Sequence, residues 1–274
     1  MPERADALAS FENKWIAQRR EFGLALGFLS GTERTCESAF ACLRFELEHA
    51  AFAIAESSVA TSKLHWWLEE FARLGAGEPR HPLTQALANS ASSAIPLNLW
   101  QRVIQVALQT RDGEPAAIFD ELIVGYSRFQ YTLTAIESLL FPRIDPAAST
   151  RVQSISRALL DIATLPEVLQ SGRLPLPLDT LARHRLIRND LAQPSPTRTA
   201  ALRDHLQSLA REFDTLATQR PILTIVAAAQ LSANRRRCGA ILRSSDPAAH
   251  IEIQLARIPF ATAWDIWRAR RSRG

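Results

Sequence analysis

Glu48 stands four residues after Arg44 and four before Phe52. On a helix such neighbours share a face, so this carboxylate has a cation and an aromatic ring beside it and no second acid. One carboxylate can serve as a magnesium ligand, but the ion wants about six oxygens near 2.1 Å. A lone Glu48 is therefore either one ligand of such an ion or the structural partner of Arg44. Glu46, His49 and Glu56 fall on another face of the Glu48 helix and read as solvated surface. Arg173, in the run Gly172-Arg173-Leu174-Pro175-Leu176-Pro177, can hold an anion in fork geometry or form a salt bridge that fixes this link. Trp66 and Trp67 point about 100° apart on a helix. At most one can line a lipid-sized cavity, and core packing is the plainer role.

Other chemistries lack their residues. The six histidines are scattered with no metal-binding spacing, and His81 before Pro82 reads as a helix cap. Ser57-Ser58 and Ser92-Ser93 have no nearby base in a recognised nucleophile arrangement, and there is no Gly-rich phosphate loop. Cys36, Cys42 and Cys238 form no CxxC pair, which points to a reducing compartment rather than a disulfide scaffold or zinc site.

The positioning elements are helical. Hydrophobic residues make up 47% of 274, Ala and Leu dominate, and β-branched runs are scarce. No composition shift or Gly/Ser linker marks a boundary, so one domain over 1–274 is expected. The periodicity predicts helices over Trp15–Leu29, Glu33–Ser57, one from Leu64 to Gly75, and Thr84–Ser90. Others follow over Leu97–Gln109, Pro115–Phe141 and Thr150–Leu165, the last stopped or kinked by Pro166. Asp179 is expected to cap Thr180–His184, followed by Pro196–Thr218, Pro221–Ala233, 235–244 and 259–271. The fold expected is all-α.

The net charge of +4 and the pI near 9.4 are carried almost wholly by arginine, Lys14 and Lys63 being the lysines. No basic stripe with interleaved aromatics recurs, so nucleic acid is not expected as a partner. The segment Pro2–Ser10 carries Glu3, Arg4 and Asp6 and does not read as a signal peptide. The longest apolar run, Ile222–Ala229, is too short to span a bilayer, and a cytoplasmic location follows as the expectation. Near the C-terminus, Phe260, Trp264 and Trp267 share a helix face with Arg268, Arg270, Arg271 and Arg273 close behind. Such a segment, 260–273, can dock on a protein partner or lie peripherally at the inner face of a membrane. Alternatively its tryptophans close the core and its cations complement a helix end.

Lys63-Leu64 with Trp66-Trp67, His81-Pro82, and Gly172-Arg173 with Leu176-Pro177 resemble the squalene/phytoene synthase family, over about Phe22 to Leu181. The resemblance implies a terpenoid-synthase-like helical bundle. In it, two aspartate-rich helices face each other across a central cavity and hold magnesium and the diphosphates of two prenyl substrates. Arg44 falls on the arginine of the first motif, and the acidic positions fall on Leu47, Glu48 and Ala51; only Glu48 is an acid. The second motif falls on Thr164 and Val168, neither a carboxylate, and a register slip would be needed to use Asp161 and Glu167. By the resemblance, Arg44, Arg173, Trp66 and Trp67 are substrate-binding candidates for an isoprenoid or prenyl diphosphate. The degenerate motifs are similar to those of the phytoene-synthase-like complex I assembly factor branch. Three roles are open: a catalytically degenerate isoprenoid-binding, chaperone or assembly protein; a divergent prenyltransferase joining two prenyl diphosphates; or a helical scaffold at a membrane or partner. No cofactor is expected in the first and third. Magnesium enters only in the second, with Glu48 its ligand.

Overall fold

The computed structural model describes residues 2–90, 95–111, 113–244, 247, 250–251, 254, 257 and 261–271, and among them there are helices, turns and loops without strands. In chain order the helices are α1 (Pro2–Gln18), α2 (Arg20–Leu26), α3 (Gly31–Glu48), α4 (Ser57–Gly75), α5 (Pro82–Ser90) and α6 (Leu97–Arg111). They continue with α7 (Phe119–Leu140), α8 (Pro146–Ala163), α9 (Leu165–Gln170), α10 (Leu178–Arg183), α11 (Pro196–Leu216), α12 (Ile225–Leu242) and α13 (Ala261–Arg271). A continuous core runs through the bundle from Trp15 to Ala269. The stripe Phe40, Leu43, Leu47 and Ala50 of α3 is buried within it. Trp67, Phe71 and Trp100 stack between α4 and α6, the last two with ring centres 4.2 Å apart.

The boundaries follow local chemistry. Asp145 caps α8 by accepting from the amides of Ala147 (2.8 Å) and Ala148 (2.9 Å), and Pro146 pre-sets the first turn. Ser195 caps α11 and Thr224 caps α12 in the same way. His81 caps α5, its Nδ1 accepting from the Leu83 amide at 3.2 Å, as expected.

Six expected boundaries are corrected. The first helix is two, broken where Arg19 leaves helical geometry (φ −133°, ψ 79°). The helix over 33–57 stops at Glu48, passes through a π turn at His49–Ala53, and yields to α4 at Ser57. The helix expected from Pro115 starts at Phe119, and the one expected from Thr150 starts a turn early behind its Asp145 cap. Pro177, not Asp179, sits at the N-cap of α10. The two helices expected over Pro221–Ala233 and 235–244 are one, α12, preceded by a 3-10 turn at Ala217–Ile222 that absorbs Pro221. Nothing between Ala233 and Arg235 breaks α12, because Asn234 is buried and donates to Ser156 on α8.

Candidate functional site

The site grows from the C-terminal end of α3. A helix leaves its last carbonyls without partners, and here the π turn that follows must also satisfy its own. Guanidinium groups do this work. Arg111, at the end of α6, donates to the carbonyls of Ala50 (3.0 Å), Ala51 (3.3 Å) and Ile54 (2.9 Å). Arg173 donates to that of Phe52 (2.9 Å). Cations at this end of a helix also complement its dipole. Single π turns are often found at functional sites.

Glu48 lies at this turn, buried, and does not pair with Arg44. It accepts from Arg19 Nη2 at 2.9 Å and from Gln130 Nε2 at 2.9 Å. Arg44 turns to α7 instead, donating to Glu137 (2.8 Å) and to Gln130 Oε1 (3.0 Å). Gln130 thus joins both groups, spending its oxygen on the cation and its amide on the carboxylate. Glu137 is completed by the hydroxyls of Ser149 (2.6 Å) and Thr224 (3.2 Å).

Asp161 on α8 is the second acid of the centre, fully buried. Tyr126 Oη donates to it at 2.6 Å, Arg157 through Nε at 2.9 Å and through Nη2, and Arg173 through Nη2. Burial opposes the charged carboxylate, yet Arg157 and Arg173 hold its pKa below the usual carboxylate range. Burial, then Asp161, push the Tyr126 phenol up. The guanidiniums of Arg157 and Arg173 also lie 5.3 and 5.0 Å from the centre of the Phe52 ring. Arg173 therefore binds Asp161 on one wall and the Phe52 carbonyl on the other. It joins the walls directly. Gly172 (φ +85°) makes the turn that delivers it, a conformation few other residues adopt. Arg173 is thus engaged in a salt bridge with Asp161.

Glu167 is exposed on α9 and does not join this centre. Thr164 and Val168, at the second-motif positions, bring no acid. Trp67 is buried between α4 and α6, whereas Trp66 is 42% exposed and packs on His81, so neither is brought to Glu48 and Asp161. His49 and Glu56 are exposed as expected, but Glu46 is buried. It receives Lys14, Lys63 (2.8 Å) and the Trp15 indole N–H (3.1 Å). Burial works against its charge, but the two ammonium groups still depress its pKa. Both lysines of the chain end on this one carboxylate; an arginine-rich sequence that keeps two lysines was the available signal. Ser58 donates to Glu56 at the surface, and Ser92-Ser93 lie outside the described residues.

Magnesium chemistry does not fit this donor set. The inward acids Glu48 and Asp161 already accept two and three side chains, respectively. Among the described residues, no group of three acidic, histidine or cysteine side chains could hold a metal ion. A void of about 10 Å³ borders Phe40, Arg44, Glu137 and Gln153, too small for a substrate. It shares Glu37 and Thr224 with a groove of about 470 Å³ lined by Leu140, Phe141, Ile144, Leu223, Arg143 and Arg270. Glu37 is about 16 Å along α3 from Glu48, at 1.5 Å per residue, so this opening lies toward the other pole of the bundle.

No protein-family model matches the sequence, and no curated protein is similar to it. Solved structures are similar. The squalene synthase HpnC from Alicyclobacillus acidocaldarius superposes with a TM-score of 0.62 at 14% identity, over 94% of this chain and 98% of that one. A dehydrosqualene synthase in complex with ligand superposes with a TM-score of 0.66 at 13% identity, over 93% and 95%. The chain has the all-α fold of the squalene and dehydrosqualene synthases.

Proposed function

We propose that this chain keeps a squalene/phytoene-synthase-like fold without metal-dependent prenyl transfer, and acts as one unit over 1–274 that binds an isoprenoid or serves as an assembly-type factor. One observation carries this reading: Arg173 bridges Asp161 and the π turn after Glu48. Prenyl transfer of this type relies on divalent ions to stabilise a departing diphosphate. Guanidiniums already spend the inward carboxylates here. A divergent transferase would need Glu48, Asp161 and Glu167 together, and Glu167 is at the surface.

The groove at Phe141 is the place for an isoprenoid chain. Its volume of about 470 Å³ falls within the range of small-molecule sites, about 300 to 1,000 Å³, and its walls are largely apolar. The small void at Arg44 favours a second reading, a scaffold whose interior is filled. Both readings place the protein in the cytoplasm, which its three buried, reduced cysteines support.

A thermal-shift titration with farnesyl and geranylgeranyl diphosphate, with and without magnesium, separates these. Native-state binding raises the midpoint. The expected result is a rise that does not depend on magnesium and is reduced by Phe141→Asp, with no release of pyrophosphate. A flat titration selects the scaffold. Magnesium-dependent pyrophosphate release abolished by Glu48→Ala establishes the transferase.

A further inference from the structure

The last helix buries one side and leaves a different one in solvent. Thr262, Asp265, Ile266 and Ala269 of α13 face inward. Trp264, Trp267, Arg268 and Arg271 form the exposed stripe. The tryptophans do not close the core: Trp264 is 59% and Trp267 40% exposed. Their rings stack with centres 4.8 Å apart, and the Arg271 guanidinium lies 5.3 Å from the Trp267 ring. Phe260 and Arg273 lie outside the described residues.

The stripe is continuous with a basic groove. Ala261, one turn before Trp264, lines a groove of about 630 Å³ together with Arg235, Arg236, Arg243 and Arg257. Its carboxylate neighbours are spent: Asp214 accepts from Arg235 at 2.6 Å, and Asp265 from Arg236 at 2.7 Å with Arg220 3.7 Å away. Burial, then the cations of Arg235, Arg236 and Arg268, press the Arg220 guanidinium below its usual range against the pull of Asp265. Positive charge is therefore in excess across this face. Amphipathic tryptophans at such a place suit the boundary between water and acyl chains, and arginines beside them suit anionic headgroups.

We infer that the Trp264–Trp267 face, with Arg268, Arg271 and the adjoining basic groove, docks the protein on an anionic lipid bilayer. The choice of a bilayer over a protein partner rests on charge complementarity across a broad surface on which arginines outnumber the two carboxylates, Asp214 and Asp265. It is independent of whether the interior binds an isoprenoid or catalyses a reaction.

The test is co-sedimentation of the full-length chain with vesicles of phosphatidylglycerol and phosphatidylcholine, against vesicles of phosphatidylcholine alone. Binding is expected to the anionic vesicles and to fall steeply with added salt. Arg268→Gln with Arg271→Gln should weaken it about thirty-fold, from about fivefold for each surface cation. Trp264→Ala with Trp267→Ala should weaken it about tenfold or more. All four residues are exposed, so melting curves should match the parent and show that folding is intact. Absence of binding, equal binding to neutral vesicles, or binding unchanged by both double variants overturns the inference. The first two results leave this surface to a protein partner.

Discussion

Asp161→Ala is the perturbation that bears hardest on the centre. It removes the acceptor of Arg157, Arg173 and Tyr126 in one step. The Arg157 side chain is 4% exposed and that of Arg173 is 18%, so neither charge can be fully rehydrated. Removing one partner of a buried ion pair costs about 3–5 kcal/mol, because the remaining charge stays desolvated. Arg173 retains the Phe52 carbonyl and Arg157 its place against the Phe52 ring, which keeps the cost within that range. Unfolding entropy of about 2.1 cal/mol/K per residue over 274 residues converts this to a fall in Tm of about 5–9 °C. Arg157→Met should cost less, since Asp161 would retain Arg173 and Tyr126. Scanning fluorimetry and urea unfolding, each with and without magnesium chloride, are the assays. A variant within about 1 °C of the parent would refute the reasoning. So would magnesium that raises the parent's midpoint and not the variant's, since Asp161 would then be a metal ligand.

Burial pushes His205 down to about 4, and among the described residues neither ring nitrogen has a hydrogen-bond partner. Because its folded pKa lies below the ordinary value near 6.5, its neutral form supports stability above pH 6.5. That support is lost as pH falls toward 4, by about 3 kcal/mol in all. His205→Leu should therefore raise Tm at neutral pH and flatten the pH dependence between 4 and 6.5, which calorimetry at several pH values would show. Asp161 acts lower: its depressed pKa supports stability above the ordinary carboxylate range, lost as pH falls through its folded value. Gly172→Ala meets no neighbour within 4 Å but must hold φ near +85°, so it should cost roughly 1–2 kcal/mol by denaturant titration.

The helices were legible because apolar residues recur at helical spacing, and α3 buries its expected stripe. Their joints were less so. The π turn that ends α3 depends on Arg111 and Arg173, which donate to carbonyls of that turn and of Ile54 just beyond it from 57 and 121 residues away. No local pattern predicts a π turn held from a distance. The fusion of two expected helices into α12 reflects the tertiary partner of Asn234, likewise remote. In the site, the deficit of acids at the motif positions was readable directly. Which arginine meets which acid was not. Arg44 and Glu48 are ideally spaced for each other, yet tertiary contacts with Glu137, Gln130 and Arg19 won. Glu46 departs from its expected exposure for the same reason: helical periodicity places it off the main stripe, but Lys14 and Lys63 come from other helices to cover it. The exposure of Trp264 and Trp267 depended on which side of α13 the bundle buries.

The most direct measurement is manganese binding by the full-length chain, followed by electron paramagnetic resonance with and without farnesyl diphosphate. If guanidiniums have taken the places that divalent ions would need, the titration should show no saturable protein-bound manganese at millimolar concentrations. A saturable site that disappears in both Asp161→Asn and Glu48→Gln would contradict this and restore the two walls as a metal seat.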